Sequence, residues 1–212
     1  MNMIIDIETG GWLDCPFQFD ESSVALRNLK DPEKIKAKLA EAKGKWEKNM
    51  ALAAETGEVL AVGIRQGEEG SIIEGHEKDI LAEAWGHISD QLTAQRYLCG
   101  HNLCGFDLPF MIRRSWVNGV KVPLEVMRHT GKYPTWHSCI KDTMLLWAMG
   151  DRTFISLDKL CKVLGVGAKS ENFSGAMFAE HWRSGDQDKK DMAIAYLKND
   201  LEITKLVAER LL

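Results

Sequence analysis

Four carboxylates and one tyrosine, spread over three distant apolar segments, constrain this chain more than any other feature. Asp6 and Glu8 lie in Met3-Ile4-Ile5-Asp6-Ile7-Glu8-Thr9-Gly10. Asp107 closes Asn102-Leu103-Cys104-Gly105-Phe106-Asp107, and Tyr196 and Asp200 bound Tyr196-Leu197-Lys198-Asn199-Asp200. An ionised carboxylate in or beside an apolar element is costly unless a cation, water or a proton compensates it. Any fold of this chain must solve that problem for each acid.

The remaining composition is that of an ordinary globular protein. The 212 residues suffice for one full-sized core, and 45% hydrophobic with 27% charged content argues against disorder. No apolar run approaches the ~18–20 residues of a membrane span. The first strand begins almost at residue 1, which leaves no room for a signal peptide. Cys15, Cys99, Cys104, Cys139 and Cys161 are odd in number and form no Cys-x-x-Cys pair. They read as free thiols of a reducing, cytoplasmic setting. A zinc role for His129, His137, Cys139 and Cys161 lacks the ligand spacing. The net charge of −4 argues against a basic nucleic-acid coat protein. Between 111 and 170, however, ten basic residues face four acids. They form a phosphate-facing surface if they cluster, and a scattered solvated surface otherwise.

Hydrophobic spacing predicts the elements. Residues 2–8 read as a buried strand ended by Gly10-Gly11. Asp31-Pro32 opens a helix over 31–50, whose stripe Ile35, Leu39, Ala42, Trp46 and Met50 is narrow. Strands are expected at 58–65, 71–74 and 97–101, and helices at 77–92, 107–117, 157–164 and 188–211. The order implies an α/β sheet covered by helices. The whole chain, 1–212, reads as one domain with a helical insertion at about 28–52.

Each local signal has a plain alternative. Asp6 and Glu8 are two apart on a strand and share one face, whose plain alternative is simple solvation. Asp107 is well placed as a helix N-cap, as is Asp142 before Thr143. Tyr196 and Asp200 are four apart on a helix face bordered by Ala193, Leu197 and Val207, and could be a partly buried polar pair. Phe106 reads as a core aromatic with a stacking alternative. Trp116, Trp136, Trp147 and Trp182 read mostly as packing, with base stacking as the alternative. The Trp46 stripe reads as packing against this chain or another protomer in preference to a nucleic-acid platform.

Together the three segments resemble the Exo I, Exo II and Exo III motifs of the DEDD superfamily of 3′–5′ exonucleases. Asp6-Ile7-Glu8 matches Asp-x-Glu, Asn102 to Asp107 matches Asn-x-x-x-Phe-Asp, and Tyr196 to Asp200 matches the Tyr-x-x-x-Asp of the DEDDy branch. The chain is similar to the proofreading exonuclease domain of family B DNA polymerases and to its stand-alone relatives. His101 departs from the Tyr common before the Asn, the 31–50 helix lengthens the first connection, and no polymerase domain is present.

The resemblance implies an RNase H-like (DnaQ-like exonuclease) fold with a mixed central sheet flanked by helices. It implies metal-dependent hydrolysis of 3′-terminal phosphodiesters of DNA, preferring single-stranded 3′ ends. Two Mg²⁺ or Mn²⁺ ions would be held by Asp6, Glu8, Asp107 and Asp200, and Tyr196 would orient the attacking water. Thr9, Gly10, Asn102 and Phe106 become candidate contacts to the terminal nucleotide, and Asp142 a residue standing behind the metal ligands. RNA is the alternative substrate, since RNase D-like proteins share the motif. A non-catalytic nucleic-acid-binding module is the alternative of another class. No membrane association is expected.

Overall fold

The computed structural model describes residues 2–129, 138–151, 153–169 and 173–212. Strand β1 (Met3–Gly11) lies at the centre of a five-stranded sheet with β2 (Gly57–Gln66), β3 (Glu69–Glu74), β4 (Leu98–Gly100) and β5 (Ile140–Asp142), in the order β3-β2-β1-β4-β5. β1, β2 and β3 are antiparallel neighbours, whereas β4 and β5 run parallel to β1, so the sheet is mixed as expected. The helices are α1 (Pro32–Asn49), α2 (Glu77–Thr93), α3 (Asp107–Asn118), α4 (Leu124–His129), α5 (Thr143–Ala148), α6 (Leu157–Leu164), α7 (Gly175–Arg183) and α8 (Gln187–Leu211).

β1 is buried on both faces, and its alternation sorts the sequence between them. Met3, Ile5 and Ile7 join the main core with Ile80, Leu81, Trp85, Leu108 and Met111 of α2 and α3. Ile4 faces the other way, against Leu201 and Ala208 of α8. Asp6 and Glu8 share that second face by period. α8 therefore packs over the acidic face, with Glu8 buried and Asp6 partly exposed.

The expectation that Gly10-Gly11 ends the strand does not hold: both glycines are in β1. The register shifts between Glu8 and Thr9, where Glu8 pairs with Ala61 and Thr9 with Val59, leaving Leu60 as the extra residue. Such a bulge bends the strand and sharpens its twist at the point where Glu8 is presented.

The basic stretch of 111–170 does not form one surface. Arg114 is fully buried and donates from Nε and Nη2 to the Glu77 carboxylate at 2.9 and 2.7 Å. Its Nη1 donates to the Ala54 carbonyl at 3.1 Å, and its guanidinium lies 4.4 Å from the Trp12 ring. Glu77 also accepts from Val59 N–H and Asn118 Nδ2. Lys141 is buried beneath Tyr97, and Lys162 pairs with Asp158 on α6. Lys132, Arg152, His137 and Trp136 lie outside the described residues. Trp182 packs on Phe178, but Trp116 and Trp147 are exposed, contrary to their reading as packing residues. No helix among the described residues is long and apolar enough to cross a membrane.

Arg114→Leu leaves Glu77 buried without its cation, and removing one partner of a buried pair typically costs ~3–5 kcal/mol. Urea unfolding is expected to show a loss of that size. A loss below ~1 kcal/mol would mean that the network does not hold α2 to α3.

Candidate active site

α8 can cover β1 closely because Gly63 of β2, the partner of Asp6, has no side chain. A Cβ there would lie 2.9 Å from Leu201 Cδ1 and 3.0 Å from Leu197 Cδ1. With Leu197 and Leu201 seated on the sheet, Tyr196 and Asp200 of the same helix lie over the acidic face. Both are buried, as is Glu8. The third segment arrives from the other side. β1 pairs with β4 only at Met3 and Ile4, so the Ile7 N–H is free for another partner. Asp107 Oδ1 accepts that N–H at 3.1 Å. Asp107 is therefore not the N-cap of α3. Phe106 holds that position, and the carboxylate is turned to β1 instead.

Asp142 is the N-cap of α5 that the sequence suggested. Its Oδ1 caps α5 by accepting from Met144 N–H at 2.9 Å. The same carboxylate accepts from Asn102 N–H at 3.0 Å and Cys104 N–H at 2.9 Å. It thereby fixes the loop that delivers Asp107. Asn102 sits in the left-handed region with φ of 61°. His101 braces the loop from below: Nε2 donates to the Ile155 carbonyl at 3.0 Å and Nδ1 accepts from Thr143 Oγ1 at 2.9 Å. These roles follow from its neutral state, because burial pushes its pKa down to about 4.

The remaining candidates have structural employment. Thr9 Oγ1 donates to the Ala51 carbonyl at 2.6 Å. Gly10 is a close-approach position: a Cβ there would lie 3.0 Å from Arg183 Nη2 and 3.1 Å from Ala179 Cβ of α7. Phe106 is half-buried against the main core, with its ring 5.4 Å from that of Phe110. Gly175, at the start of α7, borders the acids; a Cβ on it would be 3.7 Å from Tyr196 Oη and 3.9 Å from Glu8 Oε2.

The sequence reading missed Lys169. Its Nζ donates to Asp200 Oδ2 at 2.5 Å and to Tyr196 Oη at 3.2 Å. Only its ~30-residue separation from Asp200 hid it, since no local pattern links the two. The other oxygen, Asp200 Oδ1, is buried without a hydrogen-bond partner.

The electrostatics are those of crowded, buried negative charge. Burial, then the Asp200 charge, raises Asp6 to about 7, against the pull of Lys169. Burial raises Glu8 well above the usual carboxylate range, with Asp6, Asp200 and Asp107 adding to it. Asp107 is raised by burial and by Asp6, and Asp200 by burial, although Lys169 and Tyr196 lower the latter. The Tyr196 phenol is pushed up by burial and by Asp200, so it stays protonated at neutral pH.

A sequence model described as a predicted 3′–5′ exonuclease related to the exonuclease domain of PolB matches residues 58–207. The chain belongs to this family. The matched stretch of this PolB-related exonuclease includes Asp107, Asp142, Lys169, Tyr196 and Asp200 and begins after Asp6 and Glu8. The chain is also similar to the family B DNA polymerase of the hyperthermophilic archaeon Pyrobaculum calidifontis, with a TM-score of 0.59 and 19% identity. That likeness covers 99% of this chain and 24% of the polymerase, so the chain spans about a quarter of the protein it matches. At this identity it shows the fold, which is RNase H-like as the motifs implied. No curated protein sequence matches.

A carboxyl whose pKa is higher in the fold than in the unfolded chain contributes its stability below the unfolded value. It loses that contribution as pH rises through the folded one. Asp6, raised from 3.8 to about 7, sets the window between those values. In EDTA, Asp6→Asn is expected to be roughly 2 kcal/mol more stable than the unaltered chain at about pH 8, with the two converging near pH 4. Parallel stability curves would show that neither burial nor neighbouring charge raises Asp6.

Proposed function

We propose that the chain is a metal-dependent 3′–5′ exodeoxyribonuclease that hydrolyses the terminal phosphodiester of single-stranded 3′ ends. The observation that carries this reading is Asp200 Oδ1, a buried carboxylate oxygen with no partner, among three further acids raised by burial and then by neighbouring carboxylate charge. Among the described residues no three His, Cys, Asp or Glu side chains surround one cation position as they stand. Lys169 occupies the other oxygen of Asp200. The donor chemistry fits nonetheless: four hard carboxylates, more charge than one ammonium balances, and an orphaned oxygen. Hard oxygen donors suit Mg²⁺ or Mn²⁺. Asp6, Glu8 and Asp200 would hold one ion, and Asp6 with Asp107 the second. When bound, such ions lower the pKa of a water and neutralise charge on the attacking and leaving oxygens.

The chain's own groups do the rest. Tyr196 Oη, close to Glu8, stays protonated and orients the attacking water by a hydrogen bond instead of taking its proton. The Lys169 ammonium neighbours both Tyr196 and Asp200 and is placed to meet a phosphate oxygen. Water adds to phosphorus, the bond to the 3′ oxygen of the penultimate nucleotide breaks, and that oxygen takes a proton. The products are a nucleoside 5′-monophosphate and a strand one unit shorter. Asn102 and Phe106, on the loop held by Asp142, and Thr9 and Gly10, beyond Glu8, remain the proposed contacts to the terminal nucleotide.

The test is a gel assay of 5′-labelled single-stranded DNA and matched RNA with Mg²⁺, Mn²⁺ or EDTA. A metal-dependent ladder on DNA is expected. Asp6→Ala and Asp200→Ala are expected to lose about a hundredfold or more of kcat, as is Tyr196→Phe with little change in KM. Shortening of RNA alone would move the protein to the RNase D-like reading. Binding without any product would identify a nucleic-acid-binding module instead.

A further inference from the structure

The connection between β1 and β2 has the least internal reason to be ordered. α1 is 18 residues long and has no buried residue. Helices in proteins draw most of their stability from packing an apolar face, and α1 buries none. It is tethered by a few contacts: Lys38 Nζ donates to the Ala25 carbonyl at 2.6 Å, and Trp46 meets Phe19 with ring centroids 6.2 Å apart. Beside that pair opens a cleft of about 310 Å³ lined by Phe17, Phe19, Trp46, Lys43 and Glu21 among others. Phe17 is 56% exposed. The Lys43 side chain is 58% exposed, with Nζ 4.0 Å from Glu47.

The helix that lines this cleft leads to the candidate site. α1 runs into the turn at 50–52, whose Ala51 carbonyl takes the Thr9 hydroxyl, the residue after Glu8. Met50 packs at Gly11, where a Cβ would lie 3.3 Å from Met50 Cβ. At ~3.3 Å per strand residue, Gly11 is ~10 Å beyond Glu8. A strand whose 3′ end lies at Glu8 can run along this flank.

The charge selects the occupant. α1 carries six lysines and three acids in a chain of net charge −4. Open aromatic faces beside ammonium groups suit stacked bases joined by phosphates. A second copy of this chain would cover the rings but would set the same lysines against each other.

We propose that the Phe17–Trp46 cleft is a stacking subsite for a base of the single-stranded substrate upstream of its scissile end, with Lys43 meeting a neighbouring phosphate. This rests on the exonuclease reading. It gives the insertion a role in holding long strands and none in chemistry.

The test compares labelled single strands of about four and about twenty nucleotides, spanning the reach of a short stacking platform. In EDTA, fluorescence anisotropy should show Phe17→Ala and Trp46→Ala weakening the longer strand ~10-fold, with Trp46→Phe restoring most of it. In Mg²⁺, KM should rise for the longer strand only, with kcat and the short strand unchanged. Phe17→Ala removes an exposed ring, so it tests the site even if Trp46→Ala loosens α1, which circular dichroism would reveal. Unchanged affinity in both variants, or equal losses on both lengths, would overturn the proposal. So would a dimer in sedimentation that Phe17→Ala dissociates while KM stays constant. Failure of the unaltered chain to cleave any strand is a separate result that removes the exonuclease reading, while the anisotropy comparison still reads the cleft.

Discussion

Buried negative charge on one face of β1 is the constraint on which the rest of the structure turns. Two unit charges ~4 Å apart interact by about 4 kcal/mol at an effective dielectric of 20. A domain is stable by only ~5–15 kcal/mol in total. Asp6, Glu8, Asp107 and Asp200 cannot all be ionised together without a compensating cation. Their raised pKa values express that limit as retained protons. Lys169 pairs with Asp200 and also pulls on Asp6 and Glu8, but it is one cation among four acids.

The fold tolerates this strain because it is anchored elsewhere. On the opposite face of the sheet, a core of Ile5, Ile7, Trp85, Leu108 and Met111 holds β1 against α2 and α3. Each such side chain contributes roughly 1.5–3 kcal/mol on burial. The Arg114–Glu77 pair adds direction to that core. Glu77 joins α2 to the Val59 N–H of β2, while Arg114 joins α3 to the chain at Ala54. α3 is thus fixed along its length, and Asp107 at its first residue meets β1 at a defined place.

Much of this was legible because the signals were periodic or local. The alternation of β1, the Asp31-Pro32 start of α1 and the helices expected at 107–117 and 157–164 all appear where the residues imply. The three motifs lead to one sheet face because strand period and helix period each fix a side. What failed depended on partners distant in sequence. Asp107 looked like an N-cap because an acid opening a helix has the same pattern either way; only the free Ile7 N–H distinguishes the cases. Counting signs across 111–170 could not show that Arg114 was buried on Glu77. α7 opens on Ser174-Gly175 without a side-chain cap, so nothing local announced it. Lys169 carried no motif at all.

The family match and the geometry cover different parts of the candidate site. The match begins at residue 58, so it says nothing of Asp6 and Glu8. The polymerase likeness, at 19% identity, speaks for the fold alone. What binds the two unmatched acids to the matched ones is physical. Asp107 takes its hydrogen bond from the residue between Asp6 and Glu8, and Gly63, opposite Asp6, is the place where α8 meets the sheet. A larger residue at 63 would lift Leu197 and Leu201, and with them Tyr196 and Asp200, away from β1. The assignment of Asp6 and Glu8 therefore rests on how closely that helix can approach, and the closeness depends on a residue that does no chemistry.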